Sequence, residues 1–226
     1  IEEYKIAERI GLGANYSFNF NDFGTHKIDV STFFADTTVL SQAVLDSRTK
    51  VRKKDGGLAN TEDLDSYAIS LGGKDFYSLD NNFAERISYR LGYALQKKGV
   101  TNDNDETRYS VSLSYKEKFE SKISKTAIFE YMNINHYNGE AGHDRSYVTG
   151  SLGLKLYPYS FSTTYTFIDN DAPEEEAEGA DGKVLQISVG YAVSPDVEVS
   201  FGFKRADEEL EVTERFGLGM KYNFEL

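Results

Sequence analysis

Residues 215–226 alternate without a fault. Phe216, Leu218, Met220, Tyr222, Phe224 and Leu226 are apolar or aromatic, while Gly217, Gly219, Lys221, Asn223 and Glu225 between them are polar or bare. Successive side chains of an extended chain point to opposite faces, so this pattern predicts a strand with one apolar face. It recurs along the chain. Ile10, Leu12, Ala14, Tyr16, Phe18 and Phe20 form a long set, followed by Tyr67, Ile69 and Leu71, and by Ile87, Tyr89, Leu91, Tyr93 and Leu95. Tyr109, Val111, Leu113 and Tyr115 continue it, as do Val148, Leu152, Leu154 and Leu156, then Phe161, Thr163, Tyr165 and Phe167. Leu185, Ile187, Val189, Tyr191 and Val193 precede Val197, Val199, Phe201 and Phe203 across a Ser194-Pro195-Asp196 turn. Around Phe129 and Tyr131 the pattern is less clean, because Ile128, Met132 and Ile134 take the opposite parity. A helical period is missing throughout, although residues 1–10 allow a short helix. The chain reads as all-β and as one domain over residues 1–226.

Composition removes several chemistries. There is no cysteine, which excludes a disulfide scaffold, a thiolate metal site and thiol catalysis. A formal net charge of −12, from 37 acidic and 25 basic side chains, is the wrong sign for binding nucleic acid. No apolar run reaches the roughly 18 residues of a membrane helix.

Alternation suits both a soluble sandwich and a transmembrane barrel, and four features favour the barrel. The strands run about ten to fourteen residues, long for soluble sheets but right for a tilted membrane strand. Short connections (Asp80-Asn81-Asn82, Glu120-Ser121-Lys122, Tyr157-Pro158-Tyr159, Ser194-Pro195-Asp196) alternate with long polar ones near Thr101, Asn138 and Asp169. Aromatics crowd the short-turn ends: Phe76, Tyr77 and Phe83; Tyr115 and Phe119; Tyr157, Tyr159 and Phe161. The best apolar faces carry no charge, as a lipid midplane demands. The expected fold is therefore a transmembrane antiparallel up-and-down β-barrel. About eleven strands can be placed, and residues 37–54 supply a twelfth with Ala43, Leu45 and Val51 outward; ten or fourteen would also fit.

The final strand resembles the C-terminal assembly signal of Gram-negative outer-membrane β-barrel proteins, a polar residue and a glycine followed by spaced apolar positions. Two registers fit: Arg215, Gly217, Met220 and Tyr222, or Gly219, Tyr222 and Phe224, although the chain ends in Leu226 where an aromatic is commoner. The resemblance implies a bacterial outer-membrane location, contact with outer-membrane lipid, and recognition of the last strand by the barrel-assembly machinery. It names a porin-like class and no single member.

With the apolar parities facing lipid, the opposite parities line the interior. They place Arg9, Lys27, Arg86, Arg90, Lys116, Lys155, Lys204 and Lys221 inside, against Asp29, Glu130 and Glu198. A twelve-stranded barrel has a backbone diameter of roughly 24 Å and leaves a passage of very roughly 8–10 Å. A hydrated basic interior concentrates anions and releases them, since exposed charges bind weakly. The other reading is that these charges pair with Glu130, Glu198 and Asp29 to close the interior. The basic run Arg48, Lys50, Arg52, Lys53 and Lys54 reads either as a constriction loop folded inward or as a solvated loop on lipid phosphates. The acidic residues from Asp169 to Asp181 read as a solvated loop.

Catalysis is not expected. Of His26, His136 and His143, none is followed two residues later by serine, the spacing that puts a base and a hydroxyl on one strand face. His143, Asp144 and Ser146 form the one local acid–base–hydroxyl cluster, on a glycine-flanked loop. No cofactor or metal site is expected. Two classes of function remain: a porin-like channel passing small polar or anionic solutes, or a barrel serving as anchor, translocator or closed surface protein acting through acidic loops.

Overall fold

The computed structural model describes residues 9–35, 52–76, 84–119, 123–172, 181–208 and 211–222. They form one sheet of eleven antiparallel strands, each bonded to its neighbours in sequence. The strands are β1 (Arg9–Asn19), β2 (Thr25–Ala35), β3 (Ser66–Lys74), β4 (Ile87–Gln96), β5 (Glu106–Phe119) and β6 (Ile123–Asn135). They continue as β7 (Asp144–Leu156), β8 (Tyr159–Asp171), β9 (Gly182–Ala192), β10 (Val197–Glu208) and β11 (Glu211–Tyr222). This is the up-and-down meander of a β-barrel. Among the described residues β1 and β11 do not pair with each other, so the sheet has two edges there.

Two expectations near the N-terminus meet the structure differently. Arg9 and Ile10, assigned to a short helix, already belong to β1, while residues 1–8 lie outside the described residues. Of the proposed twelfth strand, residues 37–51 also lie outside them, and Lys53–Asp55 form a single 3-10 turn. The connections segregate by end, with one departure: at the long-loop end only residues 209–210 separate β10 from β11. The short turn expected at Asp80-Asn81-Asn82 lies outside the described residues.

Burial follows parity. Leu113, Leu152, Val189 and Phe201 are exposed, whereas Ser112, Ser151, Ser188 and Ser200 beside them are partly covered. An alternation of this kind means the sheet curls, sheltering one face and leaving the other to its surroundings. The apolar residues are on the outside. That inversion of the soluble rule suits a sheet whose solvent is lipid.

The opposite parity of Ile128, Met132 and Ile134 has a structural reason. Ile134 is buried on the sheltered face with Tyr147, Ile168, Val184 and Ala206, and Met132 and Tyr137 pack against them. β6 therefore carries apolar groups on both faces, which blurs its alternation.

Aromatic side chains ring both ends of the exposed face. At the turn end Phe18, Phe20, Phe76 and Tyr89 surround His26, with ring centroids 5.1–6.0 Å apart. His26 Nδ1 meets the Tyr89 hydroxyl at 3.0 Å and Nε2 faces the Phe23 carbonyl at 3.1 Å, so this imidazole belongs to the belt. Tyr159 and Tyr191 continue it, 5.4 Å apart. At the loop end the rings of Tyr67, Tyr93 and Tyr109 meet at tilted angles, with centroids 5.9 and 5.1 Å apart. Only the turn-end crowding was expected. Two girdles separated by charge-free apolar residues mark both interfaces of a bilayer.

Candidate functional site

The sheltered face is read most directly along rows of register partners. One row runs Lys27, Gly72, Arg90, Ser112, Glu130, Thr149, Thr166, Val184, Ala206 and Thr213. Between these charged and apolar stations lies a wall of hydroxyls. Ser88 and Ser114 are 2.6 Å apart, Ser151 and Thr164 2.9 Å, and Thr149 and Thr166 2.9 Å. Paired hydroxyls satisfy each other and still leave lone pairs toward the interior.

The charged residues fall into committed and uncommitted groups. Lys27 and Arg90 both pair with Asp29, at 2.5 and 3.4 Å, and Ser70 donates to the same carboxylate at 3.3 Å. Arg9 donates to Gln96 Oε1 at 3.0 Å, and Gln96 Nε2 donates to Glu106 Oε1 at 2.7 Å. Glu106 is fully buried and also accepts from Arg108 Nε at 2.6 Å. Glu198 accepts from Ser160 at 2.8 Å and faces Lys221 in register. Glu130 has no ion pair among the described residues and stands between Ser112 and Thr149. Lys116 and Lys155 are exposed and have no acidic partner among the described residues, and the same holds for Lys204, partly covered beside Gln186.

Arg86 departs from the wall assigned to it. It sits in the turn Ala84–Arg86, and its guanidinium bonds to Glu117 and reaches the Tyr115 hydroxyl at 3.4 Å. Tyr115 and Glu117 share the parity of Leu113, which is the exposed one. Lys125 joins Glu117 at 4.0 Å. The cause is local: the turn frees Arg86 from strand alternation, and a nearly buried carboxylate attracts it.

Three connections at the loop end bond into a collar. The Ala35 amide donates to the Ala59 carbonyl at 2.8 Å, and the Ala59 amide to that of Lys97 at 2.6 Å. The Asp103 and Asn104 amides both donate to the Gly139 carbonyl, at 3.1 and 3.0 Å. Lys97 Nζ meets Asp105 at 2.7 Å. Burial pushes the Asp105 carboxyl up, but hydrogen bonds from Lys97 and the Lys98 amide outweigh it and hold the group below the usual carboxylate range; the same bond raises Lys97. The Asn138 amide donates to Glu106 Oε2, and Tyr137 settles on the apolar cluster of the sheltered face. Residues 136–143 thus cover part of that face. Of the basic run proposed as a constriction, Arg52 is exposed and its amide bonds Asp55, while Arg48 and Lys50 lie outside the described residues.

Among the sheltered-face charges that the inward parities of the sequence did not include are Glu106, Arg108, Arg145 and Arg215. Each lies at or just before the first residue assigned to its strand. Extending the alternation by two or three positions would have found them. Buried Arg145 stacks on Tyr137 and Tyr147, at 4.8 and 5.5 Å from the ring centres. The loop histidine cluster does not assemble as a triad. His143 Nδ1 meets Glu140 at 2.9 Å, and Asp144 accepts instead from the His136 amide at 2.9 Å.

A sheet with lipid-type residues outside and a polar, hydroxylated face within has a direct match among known families. The family model described as Gram-negative porin matches residues 3–225. This chain belongs to the Gram-negative porins. As a porin it is an outer-membrane β-barrel protein of Gram-negative bacteria, from a family of channels. The porin is also similar in fold to the outer membrane channel DcaP of Acinetobacter baumannii, at 15% identity and a TM-score of 0.57; the match covers 94% of this chain and 62% of that one. A porin refined at 1.8 Å matches at 12% identity with the same TM-score, covering 99% of this chain and 64% of the other. The chain thus spans less than two thirds of each. No curated protein matches the sequence.

Proposed function

We propose that this porin passes small polar and anionic solutes along its sheltered face, without catalysis. The reading is carried by the excess of basic over acidic side chains there. Lys116, Lys155 and Lys204 have no acidic partner among the described residues, in a protein whose overall charge is −12. Hydrated cations on a polar wall raise the local concentration of anions and hold them weakly enough to leave. Lys27 and Arg90, sharing Asp29, and Lys221, opposite Glu198, contribute less, because each has an acid beside it. Arg9 serves the Gln96–Glu106 network and Arg86 serves Glu117, so neither is assigned to selectivity. We also infer that β11 carries the signal read by the barrel-assembly machinery, on the strength of its fault-free alternation.

One observation favours the closed alternative, an anchor or surface protein. The cluster of Ile134, Tyr147, Ile168, Val184 and Ala206, under Tyr137, takes up part of the sheltered face at the loop end. Planar-bilayer recording separates the two. The channel reading expects steady conductance and a reversal potential in a KCl gradient on the anion side. A silent bilayer with correctly inserted protein would reject it.

A further inference from the structure

Lys204 on β10 and Arg215 on β11 are direct register partners on the sheltered face. Opposed like charges in an antiparallel pair are destabilising, and the usual remedy is an acid between them. Neither residue has a salt bridge or side-chain hydrogen bond among the described residues. The nearest sheltered-face acids on these two strands, Glu208 and Glu211, are four residues away, about 13 Å at strand rise. Elsewhere on this face Lys27 and Arg90 share the Asp29 carboxylate. The Lys204–Arg215 pair lacks one.

The row beneath the pair is bare. Gly202 and Gly217 are themselves register partners; a Cβ on Gly217 would meet nothing within 4 Å, and one on Gly202 only the Ile187 carbonyl at 3.9 Å. The hollow is about 410 Å³, and Ser162, Thr164, Gln186 and Ser188 form its other wall. That size lies within the range of small-molecule sites. Two cations, three hydroxyls and one amide line the open space, together with Ile187, Phe203 and Phe216.

We propose that Lys204 and Arg215, above the Gly202–Gly217 hollow, form a binding station for an oxyanion carried by a small hydroxylated solute. The inference rests on reading the sheltered face as a water-filled passage. The planar Arg215 guanidinium can hold two oxygens of a carboxylate or phosphate in parallel, and the Lys204 ammonium adds a point charge from the neighbouring strand. Ser162, Ser188, Thr164 and Gln186 both donate and accept, which suits the hydroxyls of a sugar-like body. The anion supplies the charge that the pair lacks.

The test is calorimetry on the protein folded in detergent micelles, with glucose 6-phosphate, glucuronate and glucose as probes. The station predicts binding of both anions at least tenfold tighter than glucose, with their ranking separating phosphate from carboxylate preference. Lys204→Gln with Arg215→Gln should abolish that difference, whereas Lys53→Gln with Lys54→Gln, on the exposed turn Lys53–Asp55, should leave it intact. Equal binding of glucose, or equal loss in both double variants, overturns the station in favour of a diffuse basic field. Should the first double variant not fold, Arg215→Gln alone on the edge strand carries the same comparison. Bilayer recording then separates this inference from the channel reading. Steady conductance with no interruption by glucose 6-phosphate rejects the station alone; anion binding by a silent protein rejects the channel alone.

Discussion

The backbone amide of Asn138 donates to Oε2 of Glu106 at 3.0 Å, tying the connection after β6 to the first residue of β5. The other oxygen of that carboxylate holds Gln96 and Arg108. A single buried acid thus fixes both the loop over the sheltered face and the strands beneath it. Glu106→Ala would leave Arg108 and the Asn138 amide without their acceptor. The expected loss is about 3 kcal/mol in unfolding free energy, measured by urea titration in detergent, with faster proteolysis between residues 136 and 143. An unchanged midpoint would show that water replaces the carboxylate.

The Lys97–Asp105 contact predicts a pH dependence confined to the collar. Asp105 is held below its ordinary range, so its stabilisation is complete above the ordinary carboxylate value and is lost as pH falls through the lowered one. Lys97 is raised, so its share is complete below the ordinary lysine value and is lost only in stronger alkali. The protection of amides 97–105, after correction for their intrinsic exchange rates, should therefore be high and flat across neutral pH and fall below about pH 4. Lys97→Met should remove that step.

Leu113 and Ser112, adjacent near the middle of β5, should answer oppositely to one substitution. Leu113→Arg puts a guanidinium into lipid and should destabilise the barrel by about 2–4 kcal/mol, while Ser112→Arg, on the sheltered side, should cost under about 1 kcal/mol. Single cysteines at the two positions give an independent measure. A membrane-impermeant thiol reagent should modify position 112 faster than 113, and the reverse order would invert the assignment of faces.

Arg86 and Arg90 are four residues apart but serve two different functions. Arg86→Glu sets a second carboxylate against Glu117 and should lower the heat-resistance midpoint seen as a gel-mobility shift. Arg90→Glu should leave that midpoint within about 2 °C while moving the reversal potential toward cations. Loss of heat resistance in both would mean that Arg90 is structural.

The strands were legible because lipid imposes a uniform rule on one face. Phe216 to Tyr222, Leu185 to Val193 and Ile10 to Phe18 show it without interruption, since no burial inside the protein competes with it. β6 was harder, because Ile134 and Met132 answer to a local cluster on the other face. Among site residues, Lys27, Arg90 and Lys204 follow from parity alone. Arg86 could not, because a turn between strands breaks the rule of two and its partner Glu117 is thirty-one residues away. Glu106, Arg108, Arg145 and Arg215 stand at or before the first apolar residue of each alternating run, where the pattern has not yet declared a face. Pairing is a property of register, and one sequence does not carry it.

The apolar cluster sits toward the loop end of the sheltered face, and the uncommitted Lys116 and Lys155 lie toward the turn end. A passage built this way has two unlike mouths. On the proposed channel reading, an anion arriving from the turn side would enter a field that accumulates it, and one arriving from the loop side would first shed water beside Tyr147 and Ile168. Under opposite voltages of equal size the two fluxes differ. The conductor proposed here would then be a rectifier, and reversing the electrodes on one oriented molecule would show the current–voltage curve bend.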